Sequence, residues 1–297
     1  MKSKILFSTG AFGILLMMAG QLSFAINDSF VKLAVKNIET DTSIFSVIFT
    51  RGCITTILLG LYLIIIEKKN LFKILSIKRF HIRGLYEVLT ALFFFIALIV
   101  LPISEVYTLL MTNPFFVTIF AFFFLKEKVG FKRWCAVLVG FIGVIIVINP
   151  TNFTFNPLFI LPILAAIFLT IRDVRTKNIA TKSNSFEIIF ITSLLITFFS
   201  GIGSLFIEFN LESNSLIKIV ISSFFLTVAY IFSVLTVFYA PLSLTASSRY
   251  SVIIFGIIFG YLILGEVPNY TMLSGALVIS LSGLFVIKRQ KDLGKIE

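Results

Sequence analysis

Ten stretches of mostly apolar residues, each about the length of a bilayer-crossing helix, alternate with short polar links. They cover residues 8–31, 43–66, 84–101, 104–125, 132–149, 157–174, 185–206, 216–238, 243–264 and 270–287. A spanning helix needs about 20 such residues to cross a hydrocarbon layer about 30 Å thick. The runs are too long and too continuous for a membrane barrel, whose strands are short and alternate. The links carry helix breakers: Lys68-Lys69-Asn70, Pro102, Asn149-Pro150, Ser213-Asn214-Ser215 and Pro268-Asn269. The pattern predicts an all-α polytopic membrane protein with ten transmembrane helices. The first run starts after Lys2 and Lys4 and ends near Ser23-Phe24-Ala25, as a secretory leader would. Its apolar stretch exceeds a leader core, so it is expected to stay as helix 1.

Charge placement fixes the expected orientation. With the N-terminus in the cytoplasm, twenty Lys and Arg fall in cytoplasmic segments: the N-terminal pair and the clusters within 68–83, 126–133, 172–182 and 288–295. Only Lys32, Lys36 and Lys218 fall on the far side. This is the positive-inside asymmetry, and it places both termini in the cytoplasm. It also accounts for a pI near 9.7 without nucleic acid as a partner.

The chain repeats itself at an interval of 139 residues. Pro102-Ile103-Ser104 matches Pro241-Leu242-Ser243, Leu125 matches Leu264, and Glu127 matches Glu266. Each match is followed by a glycine-bearing helix, with Gly140 and Gly143 in one half and Gly275 and Gly283 in the other. Five helices per half put the second half upside down, so the expected architecture is two inverted five-helix repeats. Residues 8–149 form the first, 157–287 the second, and 288–297 a cytoplasmic tail. Inverted repeats are a common construction of alternating-access carriers, with the substrate site between the halves.

Composition narrows the function further. Hydrophobic residues make up 58% of the chain and charged residues 13%, with a mean hydropathy of +1.07. A soluble domain carries roughly twice that share of charge. Cys53 and Cys135 stand alone and His81 is the single histidine, which argues against a disulfide framework, a zinc site or histidine catalysis. No Walker A loop and no G-x-S-x-G elbow occur. No enzyme, resident cofactor or metal is expected. The expected partners are a small-molecule substrate and the lipid bilayer, with a homodimer left open.

The motifs resemble the EamA branch of the drug/metabolite transporter superfamily. The resemblance rests on Pro102 to Glu105, on "FFFLKEK" (Phe122 to Lys128), on "GFIGVIIVINP" (Gly140 to Pro150) and on "LGEVP" (Leu264 to Pro268). Arg249-Tyr250 is similar to an Arg-Tyr pair of the bacterial S-adenosylmethionine uptake carriers in that branch, and its riboflavin carriers are a second comparison. The resemblance implies a multi-pass protein of the bacterial inner membrane, with a central cavity built mainly from helices 1–4 and 6–9. It implies secondary transport of a small polar metabolite: a nucleoside-like cofactor, a vitamin such as riboflavin, or an amino-acid-type solute. Export of amino acids or toxic compounds is the alternative within transport. A non-transporting membrane scaffold or enzyme is the alternative from another class.

Ionisable side chains inside spans are costly and mark candidate sites. Arg51, deep in helix 2, is expected either to face substrate or to pair with Asp28. Arg249 and Tyr250 in helix 9 are expected to face the cavity. Asp28 is expected at the cavity mouth, with Lys32 pairing to it at i,i+4. Glu105 is the candidate proton site, and Glu87 is expected to pair with Arg83. Tyr107, Asn113 and Tyr230 complete the substrate-binding set. Pro114 is expected to kink helix 4, because proline removes a helical hydrogen bond and frees the carbonyl near Leu110.

Overall fold

The computed structural model describes residues 2–35, 43–123, 130–149, 156–180, 184–206, 213–239 and 246–292. Its α-helices are α1 (Lys2–Val35), α2 (Ile44–Ile65), α3 (Leu71–Leu75), α4 (Lys78–Val100), α5 (Ile103–Leu110) and α6 (Asn113–Phe123). They continue with α7 (Phe131–Ile148), α8 (Ile160–Ala180), α9 (Ser185–Phe206), α10 (Ser213–Tyr239), α11 (Ser251–Leu264) and α12 (Tyr270–Asp292). Two 3-10 turns, Pro157–Phe159 and Ala246–Tyr250, lead into α8 and α11. No strand occurs among the described residues. Seven described segments are long and apolar enough to cross a membrane, and Trp134–Ile148, Ser248–Leu264 and Tyr270–Val286 are shorter apolar helices.

Four long pairings organise the bundle: α1 along α10, α4 along α8, α2 along α9, and α7 along α12. Smaller contacts join α1 to α11, α5 and α6 to α8, α4 to α9, α10 to α2, and α5 to α11. Between α7 and α12 the backbones nearly touch. A Cβ on Gly275 would lie 2.8 Å from the Gly143 carbonyl oxygen, and one on Gly143 would lie 2.8 Å from Ile279. In lipid, where apolar solvent surrounds the helices, such close backbone approach is a main source of helix association. A large buried core gathers Val31, Leu98, Ile103, Leu109, Phe115 and Ile279. A second gathers Leu59, Leu63, Phe80 and Ile191 between α2, α4 and α9.

The helices depart from the apolar runs at their polar ends. α4 begins at Lys78 and not near 84, α8 continues to Ala180, and α1 runs to Val35, past Asn27-Asp28. Hydropathy marks the hydrocarbon slab, whereas the backbone stays helical beyond it and lets Lys and Arg reach polar surroundings. The stretch after Lys68-Lys69-Asn70, expected to be a plain link, holds α3. Asn70 starts it by accepting from the Phe72 N–H at 2.9 Å.

Helix 4 is interrupted rather than merely kinked. α5 ends at Leu110, Met111 and Thr112 form a turn, and α6 starts at Asn113 with Pro114 in its first turn, where a missing N–H costs nothing. The Thr112 carbonyl accepts from the Phe115 N–H at 2.9 Å. In helix 9 the described residues start with a 3-10 turn, 246–250, which leads into α11. α11 closes on Gly265, whose φ of 68° suits glycine, with Glu266 N donating to the Gly260 carbonyl at 2.9 Å. This left-handed cap sets Glu266 back against the bundle. The repeat matches Leu125, Glu127 and Pro241 to Ser243 lie outside the described residues, as do Lys126, Lys128 and Pro150.

Candidate functional site

Three polar clusters occupy the interior, two of them at opposite ends of α4. From Arg83 to Leu101 that helix rises about 27 Å at 1.5 Å per residue.

At the Leu101 end, Lys32 forms an ion pair with Glu266 Oε1 at 2.6 Å and donates to the Leu101 carbonyl. The second carboxylate oxygen, Oε2, accepts the Ile103 N–H at 2.8 Å, an N–H with no helical partner at the start of α5. Lys32 is 4% exposed and Glu266 13%. Lys32 thus turns across to Glu266, just past the end of α11, and not along α1 to Asp28, the partner its i,i+4 spacing predicts. The tertiary partner satisfies a buried ammonium better, because it joins the helix N-terminus to the same carboxylate. Glu105 lies within electrostatic reach of Glu266 and Lys32.

The second cluster lies one turn deeper. Arg51 Nη1 donates to Asn27 Oδ1 at 3.0 Å, Asn27 Nδ2 donates to Asp28 Oδ1 at 2.7 Å, and the Tyr107 phenol donates to Asp28 Oδ2 at 2.6 Å. Ser222 donates to Asn27 Oδ1 at 2.7 Å. The Arg51 guanidinium stacks over Phe95, 4.8 Å from the ring centroid. Arg51 and Asp28 are therefore joined through an amide instead of by the direct ion pair expected. Four helices (α1, α2, α5 and α10) meet in this chain, and each of its charged members is buried. Among the described residues, Arg51 Nε and the Thr55 hydroxyl find no hydrogen-bond partner.

The third cluster sits at the Arg83 end. Arg172 Nη1 lies 2.8 Å from both oxygens of Glu87, and its Nε and Nη2 reach Asp173 Oδ1 at 3.0 and 2.5 Å. Arg83 pairs with Glu87 at 3.0 Å, as expected, and donates to Thr176 and Thr192. Arg249 approaches Asp173 Oδ2 at 3.6 Å and is 40% exposed. Three cations thus face two carboxylates, with one positive charge in surplus. Arg172 and Asp173 are the hub that sequence reasoning missed, because Arg172 was counted only among the basic residues of a cytoplasmic segment and Asp173 was not singled out. The signal available was a lone Asp inside Arg172-Asp173-Val174-Arg175.

Tyr230 on α10 connects the second and third clusters. Its hydroxyl lies within electrostatic reach of Arg51 on one side and of Glu87, Arg83 and Arg172 on the other. Phe24 meets its ring edge-on at 6.0 Å. Two other candidates leave this line. Asn113 donates to the Thr170 hydroxyl at 3.1 Å and so ties α6 to α8. Tyr250, 7% exposed, donates to the Met111 carbonyl at 3.3 Å. The carbonyl that gains a partner at the helix 4 break is thus that of Met111.

An apolar groove of about 400 Å³ opens between α2, α4 and α9, with Phe45, Leu92, Phe95 and Phe199 in its wall. It offers almost no polar group to a metabolite. Among the described residues no group of three or more His, Cys, Asp or Glu is placed to hold a metal.

Residues 11–149 match the EamA-like transporter family. Over that stretch, just under half of its length, the chain is similar to transporters of EamA type. The chain resembles the S-adenosylmethionine uptake transporter of Rickettsia bellii, 28% identical over 192 residues, and spans just under two thirds of that carrier: 64% of this chain and 65% of the carrier's length. The Rickettsia prowazekii carrier of the same name is 25% identical over 94% of this chain and 93% of its own. The Vibrio cholerae riboflavin transporter is 38% identical over 33% of each chain. The pseudopaline exporter of Pseudomonas aeruginosa UCBPP-PA14 is 20% identical over 94% of this chain and 97% of its own. A solved crystal structure covers 95% of the chain with a TM-score of 0.65 and 12% identity, which supports the fold alone. With its several apolar helices, the chain is a multi-pass bacterial membrane protein.

Proposed function

We propose that this protein is a secondary carrier of EamA type that imports a small metabolite bearing a flat ring and an amino-acid end, by alternating access across the inner membrane. S-adenosylmethionine is the first substrate to test; riboflavin, which has the flat ring without an amino-acid end, is the second. The observation that carries this reading is the line from Arg51 through Tyr230 to the partly exposed Glu87–Arg172–Asp173–Arg249 cluster. Paired charges of both signs suit an amino-acid end, and the Phe24–Tyr230 aromatic pair suits a planar group beside it.

The proposed architecture is ten helices in two inverted repeats, 8–149 and 157–287, with both termini and the 288–297 tail in the cytoplasm. Two features support it. Exchanging the halves, α1 for α8, α2 for α9, α4 for α10, α5 and α6 for α11, and α7 for α12, swaps the α1–α10 and α4–α8 pairs and returns the α2–α9 and α7–α12 pairs to themselves. The twenty-to-three charge asymmetry points the same way. In that orientation the Lys32–Glu266 bolt closes the outer end, while the Arg249 end stays more accessible to water. The exporter reading draws on the pseudopaline exporter, which aligns over nearly the whole chain.

Uptake of labelled S-adenosylmethionine, riboflavin and amino acids into proteoliposomes, with and without an imposed pH gradient, tests this. Saturable S-adenosylmethionine uptake that unlabelled substrate competes away is the expected result. Amino-acid transport without any response to the ring-bearing compounds would replace the importer reading with the exporter.

A further inference from the structure

Buried hydroxyls in this protein have a default partner. Thr90, Thr108, Thr170, Thr192 and Thr236 each donate to the carbonyl four residues earlier, at 2.7–2.8 Å. Inside a bilayer this is the cheapest way to satisfy a hydroxyl, because no water is at hand. Thr55 is fully buried on α2 and departs from this rule: its hydroxyl makes no hydrogen bond, although the Arg51 carbonyl stands four residues before it. Its neighbour Thr56 is satisfied across the interface by Ser193 at 2.8 Å.

The second orphan lies one turn away. Arg51 is 4% exposed; Asn27 holds its Nη1 and Phe95 covers one guanidinium face, yet Nε has no partner. Positions 51 and 55 differ by about 40° around a helix, so both groups serve one side of α2. Ser46, also without a partner, lies about 140° from Arg51 and belongs elsewhere. An unmet polar group in a low-dielectric interior costs free energy, and two side by side mark a place where a partner is missing.

We infer that Arg51 Nε and the Thr55 hydroxyl form the subsite for the heterocycle edge of the substrate, a ring nitrogen or carbonyl flanked by an N–H. This rests on the transport reading above and narrows it. Arg51 donates to the ring acceptor, and the Thr55 hydroxyl accepts from the neighbouring N–H or donates to a second acceptor. The choice of a neutral ring edge over a carboxylate follows from charge. The Arg51 cation already has the Asp28 carboxylate as its counterpart through Asn27. A second anion here would leave a buried negative surplus, which is costly. The charged end of the substrate belongs at the Arg172 cluster, where groups of both signs are partly exposed.

The test uses full-length protein with Thr55→Val, which keeps the shape and removes the hydroxyl, and Thr55→Ser, which keeps it. Adenosine and riboflavin serve as ring-bearing probes and methionine as a probe without the ring. In the ligand-free carrier, Thr55→Val should raise the melting temperature by about 2 °C, because a methyl replaces an unmet hydroxyl. In S-adenosylmethionine uptake, the adenosine concentration for half-inhibition should rise about tenfold, with that of methionine unchanged and Thr55→Ser close to wild type. A lower melting temperature for ligand-free Thr55→Val would show that the hydroxyl is satisfied within the fold and overturn the inference. Equal loss for adenosine and methionine, or no loss for either, would overturn it as well. If wild type takes up no S-adenosylmethionine, the proposed substrate falls and the ring subsite is decided separately. Adenosine or riboflavin should then raise the melting temperature of wild type and not of Thr55→Val, and no such difference would overturn the inference.

Discussion

The phenol of Tyr250 donates to the backbone carbonyl of Met111, 139 residues earlier and 3.3 Å away. That interval is the one at which the Pro102 and Pro241 motifs repeat. The interruption between α5 and α6 and the 3-10 turn before α11 therefore face each other, and one hydrogen bond holds them. Gly283 makes room for it, because a Cβ there would lie 1.6 Å from the Tyr250 hydroxyl and 2.5 Å from Cζ. Tyr250→Phe should lower stability by about 1 kcal/mol by leaving the Met111 carbonyl unpaired. Gly283→Ala should cost more, because the whole ring must move. Thermal melts of both purified variants check this order, and a wild-type melt for Gly283→Ala would show that the ring lies elsewhere.

Lys32 and Glu266 predict a strong and reciprocal effect. Lys32→Met strands a buried carboxylate, and removing one partner of a buried pair costs about 3–5 kcal/mol. Lys32→Met with Glu266→Gln should recover much of the folded yield, since the Gln can still accept the Ile103 N–H. In the proposed orientation the double variant should also expose more of the outer end to an impermeant thiol reagent at a cysteine introduced near Lys218. Unchanged labelling would remove the bolt's role in closing that end.

The two arginines on Asp173 should separate stability from transport. Arg172 binds Glu87 and Asp173 through several N–H groups, and Lys offers no such fork. Arg172→Lys should lower both folded yield and transport. Arg249 is 40% exposed with a single 3.6 Å contact, a geometry worth less than about 1 kcal/mol. Arg249→Lys should therefore keep its yield and raise KM, which fluorescence-detected chromatography and uptake kinetics read separately. Wild-type KM in Arg249→Lys would take it out of the substrate path.

The apolar runs, the breakers and the charge asymmetry made the helical membrane class legible, because each reflects what hydrocarbon tolerates. They could not reveal partners across helices. Asp28 and Lys32 look like a pair in one dimension, and only packing of α1 against α11 shows Lys32 meeting Glu266. Arg51, Asp28 and Tyr107 were found because charge and phenol stand out in apolar sequence. Thr55 stayed hidden, since a threonine with an unmet hydroxyl reads the same as one bonded to its own helix. The 3-10 turn before α11 was equally silent: Ala246 to Tyr250 carries neither proline nor glycine.

Asn27 makes the last case testable, because it stands between the two buried charges. Its Oδ1 accepts from Arg51 and Ser222, and its Nδ2 donates to Asp28. Arg51→Ala alone should cut folded yield by leaving Asp28 without a cationic counterpart, and Asp28→Ala should do the same from the other side. The double variant should lose less than the sum, with a coupling of about 0.5–3 kcal/mol typical of residues in one network. If the amide carries that coupling, repeating the cycle in Asn27→Ala should bring it close to zero. Should the coupling persist at full size, Arg51 and Asp28 would interact directly through space. The cycle is read from thermal inactivation midpoints of the eight proteins in one detergent, so that the bilayer contributes equally to each. Tyr107→Phe adds a control: it removes a donor to Asp28 and leaves the Arg51–Asn27 bond in place, so it should lower stability without altering the coupling.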